Sequence, residues 1–248
     1  MNAAFKARLA ARERIVGTWV KTPSPIIVEV LALTGLDCLV LDAEHAPFGR
    51  TELDACTQAA RDMPVLIRPE SAEPHHILQA LDYGAAGVIV PHVRTPDEAA
   101  ALVRSAHYGP NGRGYAGTTR AAGFGTKGMA RTRADGAHAS VIAQIEDADA
   151  LPHVDAIART PGLDALFIGR ADLTLSLGAE TPDDPRVVAG VQAILDAGVK
   201  AGMPVGMFLA RPSDAASWAE RGASLFLLES DHDFIRAGAA KLAETARA

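Results

Sequence analysis

The chain has 248 residues, of which 48% are hydrophobic, 22% are charged and 5% are aromatic. Its 24 basic side chains are outnumbered by 30 acidic ones, and the net charge of −6 argues against a nucleic-acid-binding protein. Two cysteines, Cys38 and Cys56, are too few for a disulfide framework or a cysteine-type zinc site, so they indicate a reducing, cytoplasmic location.

The amino-terminal segment is basic, with four Lys or Arg residues between Met1 and Arg14 around Phe5 and Leu9. It lacks the apolar core and the cleavage site of a signal peptide. We expect a short solvated helix here, with an organelle-targeting segment as the alternative. No apolar run approaches the ~20 residues that a membrane helix needs, so no membrane association is expected.

Eight short apolar runs recur along the chain and are separated by helix-like stretches. Most of the runs are continuous rather than alternating, which is typical of parallel strands buried on both faces. They comprise residues 15–20, 38–41, 65–67, 87–90, 141–145, 165–168, 205–209 and 225–228.

Helical patterns fill the intervals between these runs. We expect helices at 26–34, 53–61, 77–83, 151–159, 187–201, 215–221 and 234–247, and one more that begins with the capping-box spacing of Thr95-Pro96-Asp97-Glu98. The alternation predicts an α/β protein with a parallel sheet. Eight such units in about 250 residues predict a single (β/α)8 TIM barrel over residues 1–248 rather than an open doubly wound sheet.

One stretch interrupts the alternation. Residues 109–128, here called the glycine-rich loop, contain seven of the 22 glycines together with Arg113, Arg120 and Lys127. Long loops in compact domains are usually functional or mobile, so we expect this one near the active site or a subunit contact. Its GxGxxG spacing at 112–117 follows no predicted strand and opens no clear helix, so a dinucleotide site is not indicated.

The candidates for chemistry are the polar residues just after the strands, where active sites of such barrels lie. Glu146 follows the fifth strand and Asp172 follows the sixth. Two neighbouring carboxylates without cysteines suit a hard divalent cation such as Mg²⁺ or Mn²⁺. The alternative is that the two carboxylates form ion pairs with Arg68 or Arg170 at the rim of the barrel.

His45 and Arg68 follow the second and third strands. Histidine titrates near neutral pH and can act as a general base, and Asp42 is a suitable partner for its ring. Arg68 leaves a buried run and should point at the barrel mouth, where it suits an oxyanion or a carboxylate. An ion pair of Arg68 with Glu44 or Glu146 is the structural alternative.

Lys21 is the only lysine near a predicted strand end. A Schiff-base role is conceivable for such a residue. Because Lys21 enters a Thr-Pro-Ser-Pro loop, we expect an exposed loop lysine instead.

Five motifs, in this order and each at a predicted strand end, carry a resemblance to a known family. They are Asp42-x-Glu44-His45-x-Pro47, Ile67-Arg68-Pro69, Gly87-Val-Ile-Val-Pro91, Gln144-Ile145-Glu146 and Ile168-Gly169-x-Ala171-Asp172-Leu173. From about residue 17 to 229, the chain resembles the HpcH/HpaI family of class II, metal-dependent 2-oxoacid aldolases. It departs from the family's usual pattern at Arg170, where proline is common, and at Ala46, where glycine is common.

The resemblance implies a role for each group. A divalent metal ion (Mg²⁺, Mn²⁺ or Co²⁺) is held by Glu146 and Asp172, Arg68 binds the keto oxygen, and His45 with Asp42 moves protons. The implied substrate-binding residues are Trp19, Gln144, Gly169, Ala171 and Leu209. The resemblance also implies a homo-oligomer, a trimer or a hexamer, with the C-terminal helix exchanged between subunits.

The expected reaction is the reversible aldol cleavage of 4-hydroxy-2-oxoacids to pyruvate, or a related 2-oxoacid, and an aldehyde, through an enolate stabilised by the metal. Three alternatives stay open. They are a citryl- or malyl-CoA-type lyase, an oxaloacetate decarboxylase that uses the same enolate, and a non-catalytic metabolite-binding barrel. Retention of the metal ligands, base and arginine together argues against the last.

Overall fold

Eight parallel strands close into a barrel in the computed structural model, which describes residues 2–248. The strands are β1 (Ile15–Val20), β2 (Cys38–Asp42), β3 (Val65–Arg68), β4 (Gly87–Val90), β5 (Ser140–Ile145), β6 (Ala165–Ile168), β7 (Val205–Leu209) and β8 (Ala223–Ser230). Each strand pairs with its neighbours in chain order, and β8 closes the barrel on β1. The predicted (β/α)8 barrel is confirmed.

Helices surround the barrel and close one of its ends. They are α1 (Asn2–Ala10), α2 (Pro25–Leu31), α3 (Arg50–Ala59), α4 (Pro74–Asp82), α5 (Pro96–Ala106), α6 (Met129–Gly136), α7 (Val154–Ile157), α8 (Arg170–Ser176), α9 (Pro185–Ala201), α10 (Ala215–Glu220) and α11 (Asp231–Thr245). The predicted capping box is present at α5, where Thr95 and Glu98 exchange side-chain-to-backbone hydrogen bonds. None of the helices in residues 2–248 is long and apolar enough to span a membrane.

Three helical segments differ from the expectation. α6 and α8 were not expected, because α6 is polar without an apolar period and α8 begins inside a strand-end motif. The helix expected at 151–159 is a 3₁₀ turn, Ala148–His153, followed by the single turn of α7. Pro152 within this segment lacks the N–H that a continuous α-helix needs.

The expected solvated helix at the amino terminus is packed instead. Phe5 and Leu9 of α1 are buried in the same cluster as the inward-facing residues of the barrel, which include Ile15 at the start of β1 and Leu225 near the start of β8. Lys6 adds an ion pair to Asp164 at 2.9 Å. α1 therefore closes the amino-terminal end of the barrel, and leaves the carboxyl ends of the strands open for a site.

The glycine-rich loop lies outside the barrel. Arg120 pairs with Asp54 of α3, and Arg113 pairs with Asp82 at the end of α4. These contacts hold the loop against the helices rather than over the mouth of its own barrel. The expectation of a place beside this chain's active site is therefore wrong, whereas a subunit contact stays a prediction.

Candidate active site at the carboxyl ends of the strands

Asp42 and Arg68 form the fixed centre of the barrel mouth. They are register partners at the ends of β2 and β3, so the backbone itself brings their side chains together. Oδ1 of the fully buried Asp42 accepts from Arg68 Nε at 2.9 Å and lies 2.8 Å from Nη2. Burial opposes the charged carboxylate, but Arg68 and Lys21 together hold the pKa of Asp42 below its ordinary value.

Lys21 is not the exposed loop lysine that the sequence suggested. Its Nζ lies 2.6 Å from Asp42 Oδ2, and the side chain is about one quarter exposed. The two oxygens of Asp42 are thus divided between two cations. The lysine amine is engaged as an ion-pair partner, which does not favour a role as a Schiff-base nucleophile.

Trp19 supports Arg68 from the inside of the barrel. The guanidinium carbon lies 4.2 Å from the centroid of the Trp19 ring, and the ring meets Phe167 edge to face at 5.9 Å. A guanidinium above an indole face is stabilised by the ring quadrupole. Arg68 also lies 3.2 Å from Glu44 Oε2, so the ion pair considered as the structural alternative is present.

The expected pairing of Asp42 with the ring of His45 is replaced by a different contact. Asp42 Oδ1 accepts from the backbone N–H of His45 at 3.2 Å. The imidazole is half-exposed at the mouth, with Nε2 3.6 Å from Glu44 Oε2. Asp42 therefore positions the turn that carries His45, while its charge is used on Arg68 and Lys21.

Glu146 is a buried carboxylate just after β5. Its oxygens accept from the side-chain amide of Gln144 and from the backbone N–H of His92, the latter at 2.9 Å. Burial raises the pKa of Glu146, and the two hydrogen bonds offset this only in part. A β-carbon on Gly169 would overlap the Glu146 carboxylate, so glycine is needed at the end of β6 for this side chain to fit.

His92 joins this group although no role was predicted for it from the sequence. Two residues after β4, it adopts a left-handed backbone conformation (φ 57°), which is strained for a non-glycine residue and is typical of functional sites. Its Nδ1 lies 3.1 Å from Asp147 and 3.5 Å from Glu146. Ligating atoms of Glu44, His92 and Glu146 all lie within 4.8 Å of one another.

Asp172 lies in the first turn of α8 and is half-buried, with the exposed Ala171 before it. Its carboxylate makes no ion pair or hydrogen bond with the rest of residues 2–248, and it is not part of the Glu44, His92 and Glu146 group. Arg170 points elsewhere, to the Pro182 carbonyl oxygen at 2.7 Å and to Asp183 at 3.0 Å. The alternative of an ion pair between Arg170 and Asp172 is therefore wrong.

Leu209 does not face the mouth. It is 5% exposed and belongs to the layer between the barrel and the helices, together with Met207 of the same strand. Alternation along β7 places Phe208 on the other face, where it is 39% exposed. The residue of β7 available to a ligand is thus Phe208. The alternation of side chains between the two faces of a strand could have identified it from the sequence.

The donor set fits a divalent cation. Glu44 and Glu146 are carboxylates whose pKa values are raised by burial, and the nearby positive charges do not cancel that effect. The side-chain oxygen of Gln144 and one oxygen of Glu44 are buried without a hydrogen-bond partner in the described residues. A bound cation would give these oxygens a partner, so the mouth fits a metal site.

Comparison with known proteins agrees with this geometry. Residues 15–236 match the sequence profile of the family described as HpcH/HpaI aldolase/citrate lyase. A hydroxypyruvate/pyruvate aldolase from Sagittula stellata is 38% identical over 242 residues, covering 95% of this chain and 94% of that protein. A 5-keto-4-deoxy-D-glucarate aldolase from Salmonella arizonae is 37% identical over 246 residues, or 97% and 95% of the two chains.

The solved structures give the same result. An HpcH/HpaI aldolase/citrate lyase family protein from Burkholderia cenocepacia superposes with a TM-score of 0.94 at 33% identity, covering 99% of this chain and 100% of the other. The resemblance inferred from the five motifs is confirmed, and the protein is an enzyme of aldolase type. The chain belongs to the HpcH/HpaI aldolase/citrate lyase family.

Proposed function

We propose that this enzyme is a metal-dependent aldolase that cleaves 4-hydroxy-2-oxoacids to pyruvate, or a related 2-oxoacid, and an aldehyde, and that catalyses the reverse addition. The observation that carries the proposal is the mouth itself, where Glu44 lies 3.2 Å from the immobilised guanidinium of Arg68 and has a ligating oxygen within 4.8 Å of the buried carboxylate of Glu146. The names of the relatives, which include a hydroxypyruvate/pyruvate aldolase, support a 2-oxoacid substrate.

Glu146 and Asp172 are the proposed metal ligands. Both carboxylates lack an Arg or Lys partner in residues 2–248, whereas Glu44 lies 3.2 Å from Arg68 and His92 is engaged by Asp147. Glu44 and His92 then act as neighbours of the ligands rather than as ligands. When bound, an ion such as Mg²⁺, Mn²⁺ or Co²⁺ supplies Lewis-acid chemistry to a keto group.

Arg68 stabilises the negative charge that develops on the keto oxygen as the enolate forms. Its donors are held in place before the reaction by Asp42 and Trp19, so little reorganisation is needed in the transition state. Lys21 contributes indirectly, because it keeps Asp42 ionised.

His45 moves the proton of the substrate 4-hydroxyl or of pyruvate C3, directly or through water. Its ring is half-exposed at the mouth, where a substrate or a water molecule can reach it. Gln144 holds Glu146 through its amide N–H, and backbone N–H groups near Gly169 and Ala171 bind the substrate carboxylate. Trp19 and Phe208 border the space left for the aldehyde portion.

The oligomer and the cytoplasmic location are further parts of the proposal. Within α11 only Asp231 is buried, and the helix exposes Phe234, Ile235 and Leu242. An apolar surface of this kind on a terminal helix suits packing against a neighbouring subunit. Light scattering compares the mass of the whole protein with that of a variant in which these three residues are changed to serine. An unchanged mass would contradict the exchange of this helix between subunits.

The central test is exchange of deuterium from solvent into the methyl group of pyruvate, followed by NMR. We expect exchange with the enzyme loaded with Mn²⁺, and none after exhaustive removal of metal or with Glu146→Gln. Glu70→Gln, an exposed glutamate at the end of β3, is the matched control and should retain exchange. Exchange that survives metal removal would contradict the metal-dependent mechanism.

A release assay separates the remaining reactions. Pyruvate should appear from 4-hydroxy-2-oxoacids and be consumed with a panel of aldehydes. Activity confined to oxaloacetate or to citryl- and malyl-CoA would replace the aldolase proposal by one of the sister reactions. Titration of Mn²⁺ into Asp172→Asn and Glu44→Gln decides between the two possible ligand sets, since only loss of a ligand weakens binding strongly.

A further inference from the structure

A cavity of about 550 Å³ lies at the opposite end of the barrel from the mouth. Its walls include Ala85, two residues before β4, and Ala139, directly before β5, whereas the proposed active-site residues lie at or after the ends of the strands. Strands of four to six residues separate the two ends by roughly 13–20 Å. The cavity has the size of a small-molecule site and is distinct from the mouth.

The walls of this cavity are rich in cationic side chains, although the whole chain is acidic. The five cationic lining residues are Arg61, Arg113, Arg120, Lys127 and Arg131. These side chains form ion pairs with only three carboxylates, Asp54, Asp82 and Asp135. Two positive charges therefore remain uncompensated around a concave surface.

Arg113 is the innermost of these cations. Its side chain is only 2% exposed and pairs with Asp82, while its Nε–H has no acceptor within residues 2–248. The guanidinium lies over the ring of Tyr108, 4.6 Å from its centroid. A buried donor without a partner costs free energy unless something accepts from it.

Arg61 and Arg131 stand at the outer wall of the cavity. Both are exposed, Arg61 forms no ion pair within the described residues, and Arg131 shares Asp135 with Lys127. The guanidinium of Arg61 and the terminal nitrogens of Arg131, whose Nε donates to Asp135, can form the paired hydrogen bonds that phosphate and carboxylate groups accept. Tyr83 and Tyr108 add aromatic surface for the rest of a ligand.

We propose that this cavity binds a small organic anion that carries a phosphate or several carboxylates. Three of its cations, Arg113, Arg120 and Lys127, belong to the glycine-rich loop, while the other walls belong to α1, α3, α4 and α6. An anion bound here bridges the loop and the barrel. It stabilises the protein by mass action and fixes the conformation of the loop.

Isothermal titration calorimetry tests the proposal on the full chain after divalent metals have been removed on a chelating resin. The probes are inorganic phosphate, a hexose 6-phosphate and citrate, so that phosphate and polycarboxylate sources are separated. We expect saturable binding of at least one probe, at one molecule per chain. Arg61→Gln combined with Arg131→Gln should weaken it about tenfold or more, because two charge-assisted contacts are lost.

The matched control combines Arg104→Gln with Arg133→Gln, which removes the same charge from exposed positions outside the cavity. This control should bind as the wild type does, and so should Glu146→Gln at the mouth. The two double variants and Glu146→Gln are checked by circular dichroism for an intact fold. No saturable binding of any probe, equal binding by the two double variants, or loss of binding in Glu146→Gln would each overturn the proposal.

Discussion

The guanidinium of Arg68 lies over the indole of Trp19, 4.2 Å from the ring centroid, while Asp42 binds its edge at 2.9 Å. Trp19 fixes the plane of the guanidinium, and Asp42 fixes its rotation. Because Asp42 and Arg68 are register partners in adjacent strands, this arrangement depends on the barrel and not on a loop. The group that is proposed to stabilise the enolate is therefore rigid before substrate arrives.

Arg68→Lys should lower kcat/KM for aldol cleavage about 100-fold or more, although the positive charge is kept. A lysine ammonium cannot stack on Trp19 and bind Asp42 in the same planar geometry, and loss of a preorganised donor at a developing oxyanion typically has this size of effect. Steady-state kinetics measure the change. Arg94→Lys, at an exposed arginine beyond β4, is the control. A loss below tenfold for Arg68→Lys would contradict the proposal that Arg68 stabilises the transition state.

Lys21→Met should destabilise the enzyme at neutral pH more than in acid. The pKa of Asp42 is held below its ordinary value, so its ion pairs stabilise the fold above about pH 4 and that stability is lost as pH falls further. Without Lys21 the pKa of Asp42 moves back towards its ordinary value, so the variant gains less stability above about pH 4 and its melting temperature converges with that of the wild type as pH falls. Melting temperatures measured between about pH 3 and pH 7, a range that brackets the titration of a carboxyl group, give the difference in stability at each pH. Lys21→Arg should restore the wild-type profile. Parallel profiles for Lys21→Met and the wild type would contradict the coupling.

The sequence was a good guide to the strands and a weaker one to side-chain partners. All eight strands lie within two residues of their predicted bounds, because each is a continuous apolar run between turns. The pairing of Asp42 could not be read from spacing. His45 is three residues away and Arg68 is 26, yet the parallel register brings the arginine to the carboxylate and leaves only the His45 backbone beside it.

Two other expectations failed for physical reasons that single-sequence patterns do not carry. Four charges near Phe5 and Leu9 suggested a solvated helix, but those two apolar side chains close the end of the barrel. The glycine-rich loop was expected near the active site or a subunit contact because long loops in compact domains are usually functional or mobile. Its position is set instead by ion pairs of Arg113 and Arg120 with α4 and α3, which are long-range contacts.

Gly169→Ala should weaken metal binding with little effect on folding elsewhere. The new methyl group would overlap the carboxylate of Glu146, which must then move from the position held by Gln144 and His92. Displacement of a supporting contact typically costs ten- to 100-fold in metal affinity, and about that loss is expected here. Calorimetric titration with Mn²⁺ measures it. Gly35→Ala has open space around its β-carbon position and serves as the control.

The two cysteines should resist thiol reagents in the native enzyme. Both are buried, and burial raises the pKa of Cys38 to about 12 and that of Cys56 to about 11. The thiolate that reacts is therefore scarce at neutral pH. These protonated thiols also favour folding at neutral pH, an effect that is lost as pH rises above the ordinary value of 9.0. Fast labelling by a maleimide without denaturant, followed by mass spectrometry, would contradict the burial.

Phe208→Ala and Leu209→Ala should have opposite phenotypes although the residues are neighbours. Leu209 is buried between the barrel and the helices, so its truncation should cost about 2–5 kcal/mol of unfolding free energy and leave aldehyde preference unchanged. Phe208 is 39% exposed on the other face of β7, so its truncation should cost less than ~1 kcal/mol and change the relative kcat/KM across an aldehyde panel. Denaturant titration and the panel assay measure both. If Leu209→Ala alters selectivity and Phe208→Ala does not, the side-chain parity of β7 at the mouth is the reverse of that described.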